Sequence, residues 1–333
     1  MKRNEEVSYY QVLTGRSMPL VSVIIPCYNT ARFVREAVSS VFAQTFTDYE
    51  AVVINDGSPD TPELEEALTP WAQKIIYLKT ENRGLAGARN AGIRASTGEL
   101  IALLDSDDAW EPNYLEVQVR KLTDDPTADI VYPNALIFGD TPDAGRFIMD
   151  GSPSKGAVTF SSLVQEECCV VVSVLARRAA LERAGLFDVS LRSCEDFDMW
   201  VRCVKTGSRI IYHDQPLLRY RRRRDSLSAD PVWMSQHVLK VLTKLRAIDS
   251  LTAEERQILE KAIRSFTGRR LFHEGKRAFL AGDAGAAADL LRQANAYLGS
   301  GRVRLILLLL RTMPRLARFA YMRLSGGEAS MAR

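Results

Sequence analysis

Apolar and polar positions change period several times along the first hundred residues. Residues 20–26 (LVSVIIP) form a β-branched apolar run closed by proline, the pattern of a buried parallel strand. Over 31–43, Phe33, Ala37, Val38 and Val41 recur at helical spacing, and 50–55 returns to an apolar strand. The alternation continues with a helix over 62–74 (proline near its start), a strand over 75–79, a helix over 85–96 and a strand over 100–105. This order predicts an α/β fold, a mostly parallel sheet with helices on both faces. Ligands of such sheets bind at the carboxyl ends of the strands.

Beyond residue 109 the pattern loosens. A helix is expected over 112–123, then short strands, a Gly/Pro/Ser-rich stretch over 139–156, a helix over 196–205 and strands over 208–213 and 217–221. After Asp225 strand signals stop, and 231–247, 253–280 and 284–298 read as helices. The stretch FHEGKRAFLAGDAGAAADLLRQA resembles one tetratricopeptide-like helical hairpin turning at Gly282-Asp283; a plain helical extension is the alternative. The expected organisation is a polar lead-in (1–18), an α/β unit (19–228) and a C-terminal all-α region (229–333).

Composition narrows the class. The 333 residues are 46% hydrophobic and 26% charged, ordinary for a globular chain with a core, and exceed one typical domain. A net charge of +3 makes no general case for nucleic acid. Five cysteines with no Cys-x-x-Cys spacing point to free thiols in a reducing compartment. The polar first residues lack a signal core, and no apolar run nears the roughly 20 residues that cross a bilayer. The expected address is the cytoplasm. One segment qualifies that. Residues 302–323 mix Leu305, Ile306, Leu308, Leu309, Leu316 and Phe319 with Arg304, Arg311, Arg315 and Arg318, without an acid until Glu328. A basic amphipathic segment of this kind suits a peripheral contact at the inner face of the membrane. Packing on the preceding helices is the alternative, and Pro314 breaks any single long helix.

Candidate chemistry sits at strand ends. Asp105, Asp107 and Asp108 crowd three carboxylates where an apolar strand ends; such a group repels itself unless a cation is present, and its hard oxygens suit Mg²⁺ or Mn²⁺. An Asp-rich turn capping the next helix is the plain alternative. Strand one ends in Pro26-Cys27-Tyr28-Asn29 and strand two in Asn55-Asp56-Gly57-Ser58. Asp56 suits the N3–H of a pyrimidine and Tyr28 the face of a base, although both stretches also read as ordinary turn chemistry with Asn29 as a helix cap. In ENRGLAGARNAGI (81–93), small residues allow close backbone approach, and a helix N-terminus near Arg83 favours phosphate. A glycine-bearing turn into an Ala-rich helix is again the alternative.

Together VSVIIPCYN (21–29), VVINDGS (52–58), ENRGLAGARNAGI (81–93), LLDSDD (103–108) and CEDFDMW (194–200) resemble, in order and spacing, the family 2 glycosyltransferases of GT-A fold, over residues 20–228. The resemblance implies transfer of a sugar from a nucleoside-diphosphate donor, of UDP type, to an acceptor that the sequence does not identify, a glycan or a lipid-linked sugar being the candidates. It places Pro26, Tyr28, Asn29, Asp56, Arg83, Asp105 and Ser106 at the donor nucleotide, and Asp107 with Asp105 at a Mn²⁺ or Mg²⁺ ion. It puts Glu195-Asp196 at the catalytic acidic pair, with Asp196 as general base of an inverting reaction. An acidic helix start complementing the macrodipole is the plain alternative, and both can hold for the same residues. YRRRRDSLS (220–228) departs from the related Tyr-Arg-x-His-x-x-Ser-x-Ser pattern: Arg223 stands at the histidine, and it suits phosphate oxygens rather than a metal. The Gln-x-x-Arg-Trp motif of processive synthases is absent, which favours single additions. Two other classes remain open, a sugar-1-phosphate nucleotidyltransferase, whose Gly-rich loop after strand one is missing here, and a non-catalytic nucleotide-sugar-binding module.

Overall fold

Seven consecutive buried residues, VSVIIPC, make β1 (Val21–Cys27) an inner strand, apolar on both faces except at Ser22. In the computed structural model, which describes residues 18–223, 225–226 and 229–312, β1 is followed by α1 (Ala31–Phe42), β2 (Tyr49–Asp56), α2 (Thr61–Leu68), β3 (Ile76–Thr80), α3 (Gly84–Ala95) and β4 (Leu100–Leu103). β1 pairs in parallel with β2 and β4, and β2 with β3, so the carboxyl ends of four strands share one edge. The helix expected over 62–74 ends at Leu68, and Thr69–Trp71 tightens into a 3₁₀ turn. Pro70 explains the break, since it brings no N–H to the helix.

Two glycines set the geometry of this edge. A β-carbon on Gly92 would lie 2.7 Å from side-chain atoms of Ile24 and Ile54, so glycine lets α3 press directly on β1 and β2. Gly57 has φ +62°, and a β-carbon there would lie 2.7 Å from the Asn82 nitrogen. The turn after β2 therefore meets the loop before α3 backbone to backbone.

The irregular stretch contains β5 (Ala109–Trp110), α4 (Tyr114–Asp124), β6 (Ile130–Phe138), α5 (Ile148–Gly151), α6 (Phe160–Val164), β7 (Leu175–Arg177), α7 (Arg178–Arg183), α8 (Glu195–Lys205) and β8 (Ile210–Arg221). The eight strands run in the order β3-β2-β1-β4-β7-β6-β8-β5. β7 is antiparallel to both β4 and β6, and β5 to β8, while β6 and β8 are parallel. The sheet is thus parallel in its first half and mixed in its second. The two strands expected over 208–213 and 217–221 are one, β8. Its register against β6 slips on either side of Asn134, so the polar residues 214–215 form an irregularity in a strand instead of a loop.

The described residues 229–312 belong to a second compact unit. It holds α9 (Pro231–Leu245), α10 (Ala253–Ala281), α11 (Ala284–Leu298) and α12 (Gly301–Thr312). Thr252 and Glu255 close a reciprocal capping box at the start of α10, and Gly282, at φ +95°, ends it. α10 and α11 are antiparallel. Gly268 and Gly275 lie on the seam, where β-carbons would come within 2.7 Å of Leu298 and 2.9 Å of Leu291. No helix among the described residues is long and apolar enough to cross a membrane. Residues 313–333, including Pro314, Arg315, Leu316, Arg318 and Phe319, lie outside the described residues, as do 1–17 and Ser228.

Candidate active site

The turns after β1, β2 and β4 are stitched together by small polar side chains. Asn29 adopts φ +54°, a conformation asparagine tolerates, and donates its N–H to Ser58 Oγ at 2.7 Å. The Ala31 N–H donates to Asp60 Oδ2 at 2.8 Å, and Asp60 also accepts from the Ser58 hydroxyl. Thr30 and Ser106 share a hydroxyl hydrogen bond of 2.8 Å. Tyr28 stays 51% exposed on this platform. Pro26 is buried within β1, opposite Ile54, so its side chain packs in the sheet.

Asp56, at the end of β2, is buried and accepts the Arg83 N–H at 2.8 Å. Burial pushes its carboxyl above the usual range, partly offset by the Arg83 and Gly84 amides and Thr80. Arg83 itself is exposed at the start of α3. The acid of strand two and the start of α3 are therefore one fixed group, joined where Gly57 allows.

The decisive connection runs through Arg89. Its side chain is 1% exposed, with Nη2 donating to Asp105 Oδ1 at 2.7 Å and Nη1 donating to Glu195 Oε1 at 2.5 Å. Its guanidinium also lies 5.4 Å from the centroid of the Phe187 ring. Burial works against the charge of Arg89, but Asp105, Glu195 and Asp196 outweigh it and raise its pKa, so it is a permanent cation. Next to it, Asn90 accepts the Phe187 N–H at 2.9 Å and donates to the Phe187 carbonyl at 2.7 Å. Helix α3 thus holds both the Asp105 turn and the segment leading to α8.

Asp196 opens α8 beside Glu195, after Cys194 at φ +59°. Burial, then the Glu195 charge, push its carboxyl up to about 6, against the opposing pull of Arg89. Asp107 is also pushed up to about 6, by burial and by Asp105, with Arg223 and Arg221 pulling it down. Arg223 Nε stands 3.2 Å from Asp107 Oδ2. Arg221 donates from Nε to the Asp107 carbonyl at 2.7 Å and pairs with Glu36, while its own N–H donates to the buried Asp108 at 2.7 Å. The end of β8 therefore clamps the acidic turn.

No three His, Cys, Asp or Glu side chains converge into a protein-only metal cage among the described residues. What the turn presents is two neighbouring carboxylates, Asp105 against Arg89 and Asp107 against Arg223, with Asp105 only partly buried. That donor set fits Mg²⁺ or Mn²⁺, which take one or two carboxylates and complete their shell with substrate phosphates and water. All five cysteines are unpaired; burial raises Cys27, beside Ser106, to about 12, which leaves it a neutral thiol.

Two organising residues, Arg89 and Asp60, were not singled out by the motifs. Arg89 carried a readable signal. Ala86, Arg89, Asn90 and Ile93 stand at i, i+3, i+4 and i+7, all buried, so two polar side chains occupy the stripe of α3 that packs inward. Removing the arginine leaves its carboxylates without a counter-charge. Arg89→Met is expected to cost about 3–5 kcal/mol, seen as a lower urea midpoint, with Arg89→Lys restoring part of it.

A parallel strand edge bearing a two-carboxylate turn, tied through a buried arginine to a second acidic pair, sits here in a GT-A-type fold. Residues 22–184 match the Glycosyl transferase family 2 model, and this stretch is a glycosyl transferase family 2 domain. The chain is 34% identical over 208 residues to an uncharacterized glycosyltransferase of Rickettsia prowazekii, covering 60% of this chain and 63% of that one. It is 28% identical to Glycosyltransferase GlyA of Streptococcus pneumoniae, over 72% of this chain and 36% of that one. The chain thus spans less than two thirds of the first curated relatives it matches. Among solved structures, the mannosyltransferase PcManGT from Pyrobaculum calidifontis, in complex with GDP-Man and Mn²⁺, shares the fold with TM-score 0.60 and 21% identity, covering 92% of this chain and 88% of that one. S. aureus TarS 1-349 in complex with UDP-GlcNAc superposes with TM-score 0.59 and 18% identity, over 93% of this chain and 92% of that one.

Proposed function

We propose that this protein is an inverting, non-processive glycosyltransferase that moves one sugar from a nucleoside-diphosphate donor, of UDP type, onto a hydroxyl of a glycan or lipid-linked acceptor. The observation that carries the proposal is the Arg89 bridge, which binds the Asp105 turn and the Glu195-Asp196 pair into one charged network. A donor-leaving site and an acceptor-activating base must lie side by side for direct transfer, and this network joins the residues for both.

In this reading Tyr28 covers the base and Asp56 accepts its N3–H, with the backbone at Asn29 and Arg83 shaping the pocket. Asp105 would contact the ribose of the donor, and Ser106 keeps its turn in register through Thr30. Asp107, with Asp105, would hold Mn²⁺ or Mg²⁺, and such an ion supplies charge stabilisation to the departing diphosphate. Asp196 takes the proton of the attacking acceptor hydroxyl. Glu195, held by Arg89, keeps that carboxylate in place at the start of α8. Release of nucleoside diphosphate from a panel of nucleotide sugars, with and without Mn²⁺, tests the proposal. No release from any donor with any acceptor supports a binding module instead.

Arg223 has a distinct part in this scheme. It stands against Asp107 at 3.2 Å, and a bound diphosphate offers it a stronger anion. Arg223→Ala is expected to weaken binding of the diphosphate about ten-fold, the scale of one hydrogen bond to a charged group, and to leave the nucleoside's affinity unchanged. Calorimetry with both ligands reads the difference, and equal diphosphate affinities would remove Arg223 from the site.

A further inference from the structure

Helix α12 is apolar on two opposite sides. On one, Val303 and Leu310 are buried and, with Leu307, pack in a cluster with Ala287 and Leu291. A surface helix ordinarily turns polar on its far side. Here that side carries Leu305 at 58%, Leu308 at 57% and Leu309 at 44% exposure, with the less exposed Ile306 on the flank. A contiguous apolar exposure of this kind marks an interaction site.

The charges around it have one sign. Arg302, Arg304 and Arg311 are exposed on the same helix. No Asp or Glu occurs between residues 299 and 312. A second copy docking by two-fold symmetry would set these arginines against themselves. A surface that is anionic outside and apolar beneath satisfies both features at once. The helix has 12 residues, about 18 Å at 1.5 Å per residue. That is too short for a hydrocarbon core of roughly 30 Å, so the fitting orientation is flat in the interface.

We propose that the outer face of α12 docks on an anionic lipid surface, its leucines entering the acyl boundary and its arginines meeting headgroup phosphates. The proposal stands on the second unit alone and does not depend on the reading of the active site.

Flotation of the full chain with vesicles of phosphatidylcholine, or of phosphatidylcholine mixed with phosphatidylglycerol, tests it. The full chain is expected to float with the mixed vesicles at low salt, to be released at high salt, and to float poorly with the neutral ones. Leu305→Glu combined with Leu308→Glu should abolish flotation while leaving the thermal melt unchanged, because both side chains are exposed. Arg304→Gln and Arg311→Gln should each lower partitioning about five-fold, the effect of one basic residue near an anionic surface. Undiminished flotation of the leucine variant, or no binding to anionic vesicles by the full chain, overturns the proposal. So does a concentration-dependent dimer that binds no vesicles and that Leu305→Glu dissociates, which would assign the face to a second copy.

Discussion

Asp196→Asn is expected to lower turnover by about 10²–10⁴-fold, the usual effect of losing a general base, while the donor binds with nearly native affinity. Asparagine keeps the shape of the side chain and the hydrogen bond from the Phe197 amide, 2.8 Å in the native protein, but it takes no proton. The native enzyme should carry a matching pH signature. Burial and Glu195 push the Asp196 carboxyl up to about 6, so activity should fall about ten-fold per pH unit below that value. Stability should move oppositely. A carboxyl whose folded pKa lies above its usual 3.8 contributes most below about pH 4, and that contribution is lost as the pH rises through 6. Asp196→Asn should therefore raise the melting temperature of the free protein at pH 7.5 and change it little at pH 4. Initial rates across pH, calorimetry with the donor and NMR of the product anomer check these outcomes together. A flat rate profile from pH 5 to 7, loss of donor binding, or a product with retained configuration would each remove Asp196 from the role of base.

Asp107→Ala is expected to cut activity by at least about 10²-fold, the scale of losing a central electrostatic stabiliser of the transition state, without unfolding the protein. The substitution removes a carboxylate that burial and Asp105 already hold above its usual range, so the fold loses little with it. Excess EDTA should reproduce the loss in the native enzyme, and Mn²⁺ should restore it there but not in the variant. Cation binding should also weaken as the pH falls through 6, because protons then compete for Asp107. Full activity in EDTA would show that the arginines at the end of β8 suffice for the departing diphosphate. A variant that loses its cooperative melt would show instead that the turn itself had collapsed.

The carboxylates of these predictions were legible in the sequence, whereas their partners were not. Asp56 and Asp105 stand directly at the ends of apolar runs that read as strands, and the ordered motifs marked Asp196. Arg89 was hidden in a segment read for its small residues, although its place on the inward stripe of α3 was visible in the helical period. Arg223 was marked by its place in the related pattern, but nothing in the run of four arginines set Arg221 apart as a clamp or put either one against Asp107. In the fold, Arg221 holds Glu36, Asp107 and Asp108, while the neighbouring Arg222 pairs with Asp143.

By itself the sequence determined the parallel half of the sheet, the placement of acids at its carboxyl edge, and the turn at Gly282-Asp283. Those features arise from interactions between residues a few positions apart, or from one side chain's preference for a buried or a turn environment, and a local pattern records them. Only the tertiary structure decided that Arg89 pairs with a glutamate 106 residues further along the chain and ties it to Asp105, that β7 enters antiparallel between β4 and β6, and that 214–215 interrupt one strand instead of separating two. A buried ion pair has no period, and the neighbour of a strand depends on which edge is left open. The ion pair forms where the close approach at Gly92 seats α3 on β1 and β2 and an inward-facing arginine meets the two acids that neutralise it.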